Sequence, residues 1–282
     1  MACVPIIHVF KKGDTLDKIA KTHKLKSGKV IFDHKSNAKL KKLRGDAGSV
    51  AVGDKLVIPP PNEKDITNAV SKNMPRMSID ISGPKKLIFV QQKWAYTYAN
   101  SGGTSNWTNK QKSDFHTNVD KAIWAKWSGK YTISVSGKSD FAKVYCDTDF
   151  QVSFDIKKVG SGGHWAVNVT KIPTGTNKTS SVDWGGQIIE LDTEDTVLRV
   201  RDRGGKKFKQ VPAAHEFGHA VGNSKFGPAA HGDEYTVGNA YLAEKKSMMN
   251  VGSQLKKRHA DHIILELNKM IKDTTFKVKS VK

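Results

Sequence analysis

The chain has 282 residues, 37% of them hydrophobic and 8% aromatic, and its 47 Lys plus Arg against 27 Asp plus Glu leave a formal net charge of +20. That composition suits a packed core rather than a disordered tail, and no apolar run approaches the roughly 18 to 20 residues of a membrane-spanning helix. Two cysteines, Cys3 and Cys146, exclude a disulfide scaffold and a Cys-rich zinc finger and leave one optional disulfide.

The first residues hold a short apolar stretch with no basic region ahead of it, so no secretory signal peptide is expected. Ile7-His8-Val9-Phe10 alternates like a short strand, Gly13-Asp14 turns the chain, and Thr15 is placed to cap a helix beginning Leu16-Asp17-Lys18-Ile19-Ala20. A second helix is predicted over 27–32 and a closing strand over 55–58. Three prolines at 59–61 cannot continue a ladder and mark a boundary. The division expected is a domain over 1–61, a linker over 62–74 and a second domain over 75–282.

The order strand, helix, helix, strand, with Val9, Gly13-Asp14-Thr15-Leu16, Ile19-Ala20, Asn37, Leu40, Gly53-Asp54 and Leu56-Val57-Ile58-Pro59, resembles a LysM domain across residues 7–59. The resemblance implies a small βααβ module that binds N-acetylglucosamine-containing glycans.

Farther along, Phe115, Val119, Ile123, Trp124 and Trp127 recur at helical spacing over 114–127 and predict an amphipathic helix with its tryptophans in the core. Residues 131–135, 150–156 and 164–169 alternate as strands, with Gly160-Ser161-Gly162-Gly163 read as a hairpin loop between the last two. Further strands are predicted over 187–191 and 196–200. A sheet with helices before and after it is an α+β layout.

Next comes Pro212-Ala213-Ala214-His215-Glu216-Phe217-Gly218-His219-Ala220-Val221-Gly222. Pro212 suits a helix start and Gly222 its end. Between them His215 and His219 lie one turn apart on one face, where two imidazoles chelate a single Zn2+ and Glu216 beside them serves as general base to its water. Such an ion needs a third protein ligand, and His231, Asp233, Glu234, His259, His262 and Glu266 lie downstream.

His215 to Gly222, then Gly232-Asp233-Glu234-Tyr235, Ser247-Met248-Met249-Asn250-Val251-Gly252 and Arg258-His259, is similar to the metzincin-like peptidase domain found at the C-termini of type VI secretion spike and Rhs polymorphic toxins. The resemblance covers about residues 205–270. It implies an acidic third ligand, Asp233 or Glu234, and Met249 as an apolar floor beneath the histidines. Here residues 223–231 intervene before that acidic pair, which keeps His231 and Glu266 as alternatives.

A final helix is predicted over 260–271 with Ile263, Ile264, Leu267 and Met270 inward. His259 at its start is a candidate donor to the oxyanion of a tetrahedral intermediate.

Together these readings predict an α+β zincin that hydrolyses peptide bonds in the bacterial envelope, in peptidoglycan stem peptides or periplasmic proteins. Implied with them are export by a dedicated apparatus from the cytoplasm into a rival's periplasm, a secretion-spike component, and a cognate immunity protein. Two other readings stay open: a peptidase for host or cytosolic proteins with the LysM-like part as adaptor, and a non-catalytic envelope-binding protein with a structural zinc. No specific nucleic-acid partner is expected. The basic charge is lysine-rich and scattered, and no helix-turn-helix, zinc-finger or RNA-recognition signature accompanies it.

Overall fold

A computed structural model describes residues 5–227 and 232–282. The chain is 29% helix and 31% strand, an α+β composition. It divides into two compact units, one of Met1–Asn68, Val135–Thr148 and Ile271–Thr275, the other of Ala69–Ser134, Asp149–Met270 and Phe276–Lys282. Among the described residues no helix is long and apolar enough to cross a membrane. Cys3, and with it any pairing to Cys146, lies outside the described residues.

The smaller unit begins with β1 (Ile6–Val9), α1 (Leu16–Thr22), α2 (Gly28–Phe32), α3 (Ala38–Arg44) and β2 (Lys55–Ile58), the two strands pairing antiparallel from Ile6↔Ile58 to Val9↔Lys55. Thr15 caps α1 by accepting from the Lys18 amide. Gly28 is where α1 and α2 meet, since a Cβ there would lie 2.5 Å from Leu16 Cβ. Leu16, Ile19, Ala20, Ile31, Phe32, Val50, Leu56 and Ile58 form the core.

α3 is an addition to the two helices predicted. Its sequence, Ala-Lys-Leu-Lys-Lys-Leu-Arg, is made of good helix formers but buries no residue fully, so hydrophobic periodicity gives it little signal.

The residues read as a linker over 62–74 are not all spacer. β3 (Ala69–Asn73) lies within them and pairs antiparallel with β4 (Ser78–Ser82). Its polar Ala-Val-Ser-Lys-Asn sequence conceals an alternating burial that only the partner strand supplies.

In the larger unit these two strands join β5 (Leu87–Asn100), which is followed by α4 (Asn109–Trp127), β6 (Tyr131–Gly137), α5 (Asp140–Tyr145, which belongs to the smaller unit), β7 (Asp149–Val159), β8 (Trp165–Lys171), β9 (Ser181–Asp183) and β10 (Ile188–Asp192). A two-stranded ribbon, β11 (Arg199–Arg203) with β12 (Lys206–Gln210), then leads into α6 (Pro212–Ala220), α7 (Asp261–Met270) and β13 (Thr274–Val281). The main sheet runs β13-β6-β7-β5-β8-β10-β9, with β4 also on β5. The strand predicted over 196–200 begins only at Arg199, because capping by Asp192 turns Thr193–Thr196 into a 3-10 helix.

The hairpin predicted at 160–163 does not form. β7 runs parallel to the first half of β5, β8 runs parallel to its second half, and the two lie on opposite sides of it. The glycines permit this passage across β5, for a Cβ on Gly163 would sit 2.9 Å from the Lys93 carbonyl oxygen. His164 fixes the crossing by donating its amide to Lys93 O at 2.7 Å and accepting the Lys93 amide at Nδ1.

On α4, Phe115, Val119, Ile123 and Trp127 are buried, but Trp124 is 52% exposed. One residue is about 100° of helical rotation, which carries Trp124 off the stripe that Ile123 occupies.

Candidate metal centre

α6 starts at Pro212, whose missing N–H costs nothing in a first turn, and ends before Gly222, at φ +118°. Three contacts from other elements fix it. The Trp127 indole donates to Ala214 O at 2.9 Å, Gln92 of β5 donates to Ala220 O at 2.8 Å, and Met249 packs against Gly218, where a Cβ would lie 2.4 Å from its Sδ. These contacts close the buried side of the helix, with Met249 packed against Gly218.

His215 and His219 leave this helix with rings 4.9 Å apart and nearly perpendicular. His215 Nδ1 lies 2.7 Å from Met248 O, and His219 Nδ1 lies 2.6 Å from Asn223 O. Each carbonyl accepts, so each Nδ1 carries the proton, and both Nε2 atoms turn to one point. There Asp233 Oδ1 stands 3.3 Å from His215 Nε2 and 3.0 Å from His219 Nε2. The three donor atoms lie within 4.8 Å of one another.

Two imidazole lone pairs and a carboxylate oxygen repel unless a cation lies among them. Protonation is one answer. Burial alone would lower the His219 pKa, but the bond to Asp233, the charges of Glu216 and Asp233 and the Asn223 carbonyl outweigh it and raise it to about 9. Asp233 is likewise held far below the usual carboxylate range, the two histidines overcoming its own desolvation. A metal ion is the other answer, and the N, N, O donor set with both outer nitrogens anchored fits Zn2+.

Glu216 is buried and lines a cleft of about 720 Å³ with His219, Asp233, Tyr235, Tyr241 and Arg258. Tyr235 stacks on His215 at 6.0 Å between ring centres, and burial, then Asp233, pushes its hydroxyl pKa up.

The other sequence candidates are placed elsewhere. Glu234, offered as a ligand beside Asp233, is fully buried and bonded to Arg258 Nε at 2.6 Å and His259 Nε2 at 3.1 Å. Desolvation opposes its ionisation, yet these partners hold its pKa at about 2. It therefore serves an internal ion pair.

His259, offered as an oxyanion donor, accepts the Lys256 amide at Nδ1 and turns Nε2 to Glu234 and Ser247, at 1% exposure. Its remaining donor is spent inside the protein, so it supports the centre without facing the cleft. Glu266 pairs with Lys269 at 2.7 Å and Lys72 at 3.4 Å, apart from the histidines. His231 lies outside the described residues.

Two supporting amides, Gln210 and Asn223, carry no sequence signal of their role, and a third, Asn250, enters only within the 247–252 segment of the resemblance. Gln210 Nε2 bonds the carbonyls of Met248, Asn250 and Gly252 at 2.8–3.0 Å and so shapes the turn that presents Met248 O to His215. Asn223 Nδ2 bonds Gly218 O and His259 O, fixing the turn that presents its own carbonyl to His219. Asn250 Nδ2 reaches Glu234 O at 3.1 Å. In the sequence each is only a polar amide flanking the metal helix or the Met-Met pair.

Compared with protein-family models, curated proteins and solved structures, the chain matches none.

Proposed function

We propose that the larger unit is a zinc-dependent metallopeptidase and that the smaller is a LysM-like module directing it to glycan of the bacterial envelope. The observation that carries the peptidase reading is the convergence of His215 Nε2, His219 Nε2 and Asp233 Oδ1, with both Nδ1 protons held by backbone carbonyls. These three residues would hold the ion, which when bound acidifies a water and polarises a carbonyl.

The rest is the work of the chain itself. Glu216, one residue from the first histidine and on the cleft wall, takes the proton of the attacking water and delivers it to the leaving amine. The cleft is of a size that holds a short stretch of peptide. Trp127, Phe217 and Met249 are fully buried and exclude water from beneath the histidines.

Peptidoglycan stem peptides, or proteins beside them, are the proposed substrates. Delivery by a secretion spike into a rival cell's periplasm, with an immunity protein covering the cleft, follows from the resemblance of the 205–270 segment.

The test is zinc content by elemental analysis together with hydrolysis of purified muropeptides and of an unfolded protein. Glu216→Ala should keep one zinc and lose about 100-fold or more in kcat. Unchanged hydrolysis in that variant, or no zinc in the wild type, overturns the reading. Cleavage of the protein but not the muropeptides moves the substrate without changing the chemistry.

A further inference from the structure

We infer that a second cleft bordering the metal centre is a subsite that binds a carboxylate of the substrate peptide; this rests on the peptidase reading above. The cleft, of about 590 Å³, shares Phe226 with the metal cleft and is walled by Lys72, Arg76, Trp184, His262 and Glu266.

Its position is fixed by the metal helix. Gly222, just past the end of α6, lies so close to His262 that a Cβ there would meet its Cβ at 2.4 Å and its imidazole carbons at 2.5 and 2.7 Å. His262 is only 9% exposed and stands edge-on to Trp184 at 5.4 Å, and its Nδ1 is buried without a hydrogen-bond partner. An imidazole nitrogen buried without a partner is costly, and here it belongs to a residue that lines the cleft.

The cationic groups are held in advance. Arg76 lies 4.5 Å over the Trp184 ring, and its Nε and Nη2 donate to Trp184 O at 3.0 and 2.7 Å. Its loop is braced by Met74 N to Met77 O, by Gln187 to Pro75 O and by the Trp165 indole to Arg76 O. A guanidinium has five N–H donors in a planar fork, and the Trp184 carbonyl does not exhaust them. Glu266 is the one acidic residue among the described wall residues, and its charge is met by Lys269 and Lys72. On the wall itself Lys72 and Arg76 outnumber Glu266, whose charge Lys269 also meets from outside the wall. Trp184 holds Arg76 by its ring and its carbonyl, and the remaining guanidinium donors with Lys72 suit a carboxylate on a peptide already lying in the metal cleft.

The test uses the full chain with zinc. Fluorescein-labelled octapeptides of one Ala-Leu-Gly sequence carry Glu or Gln at each position in turn and end in acid or amide. This separates a side-chain carboxylate from a C-terminal one. Binding is read by polarisation on Glu216→Gln protein, so turnover is not needed, and cleavage is read on the wild type.

One carboxylate form should bind about tenfold tighter than its neutral partner. The gap should shrink to about twofold in Arg76→Met and narrow in Lys72→Met, whose side chain is 41% exposed and puts the fold at little risk. A gap that is absent, or that survives both substitutions, overturns the subsite. Cleavage indifferent to carboxylates would sink the subsite and leave the peptidase reading standing. An Arg76-dependent gap on peptides the wild type never cuts would do the reverse.

Discussion

His215 and His219 turn their Nε2 atoms to one point through what fixes their outer nitrogens, and Asp233 joins them through what fixes its neighbour. The Glu234 amide donates to Met249 O at 2.8 Å and Asn239 Nδ2 donates to Asp233 O, so the backbone is clamped where the two side chains part. Asp233→Ala should therefore lower zinc affinity by more than the 10- to 100-fold typical of supporting residues. Glu234→Ala should instead unfold the protein more easily, by about 3–5 kcal/mol, since Arg258 and His259 lose a buried counter-charge. Zinc titration and urea denaturation on both variants separate the roles, and equal zinc loss in the two would refute the assignment. The sequence makes the histidine spacing legible because one helical turn is a local property. It leaves Asp233 and Glu234 equivalent, because the choice depends on Met249 and Asn239, which are brought to them by folding.

At the scale of elements, α6 is held by close approach as much as by hydrogen bonds. Gly218→Ala gains up to about 1 kcal/mol of helix propensity. Its new methyl, however, would stand 2.4 Å from Met249 Sδ and 3.0 Å from Trp127 Cζ2, and overpacking of that kind costs about 1–3 kcal/mol. The steric term should win, lowering the melting temperature and weakening zinc binding as the helix shifts from the Met248 carbonyl; a variant as stable as the parent would show that the floor yields. β5 teaches the complementary lesson about legibility. This long central strand went unread although its burial alternates, because the inward position of Gln92 is polar. That glutamine is fully buried and satisfied twice, donating to Ala220 O and accepting from the Trp94 indole. Its value lies in the tie to α6, which hydrophobic patterning cannot register. The glycine run at 160–163 misled for the same reason, since its small size serves a passage across β5 and not a tight turn.

For the whole molecule, the prolines at 59–61 suggest a boundary by composition, but the smaller unit runs on to Asn68, and the return of later chain to it leaves no such mark. Asp140 and Tyr145 of α5 reach Lys24 Nζ and Glu63 Oε1 at 2.7 Å, contacts between residues far apart in sequence that leave no local pattern. The +20 charge is likewise a property of the whole, and it bears on how the chain would meet an anionic envelope. Two modes of attachment should separate by salt. Attraction of exposed lysines to phosphate and carboxylate polymers is screened beyond roughly 10 Å at 0.1 M and 3 Å at 1 M. Sugar recognition by hydrogen bonds and apolar contact in the smaller unit would change little over that range. Retention on cell-wall sacculi that keep their anionic polymers should therefore fall about tenfold or more between roughly 0.05 and 0.5 M salt and then level off. The remaining plateau should be displaced by soluble N-acetylglucosamine oligomers. Retention that falls to nothing would remove the glycan-binding reading of the smaller unit, and retention indifferent to salt would remove the role assigned to the charge.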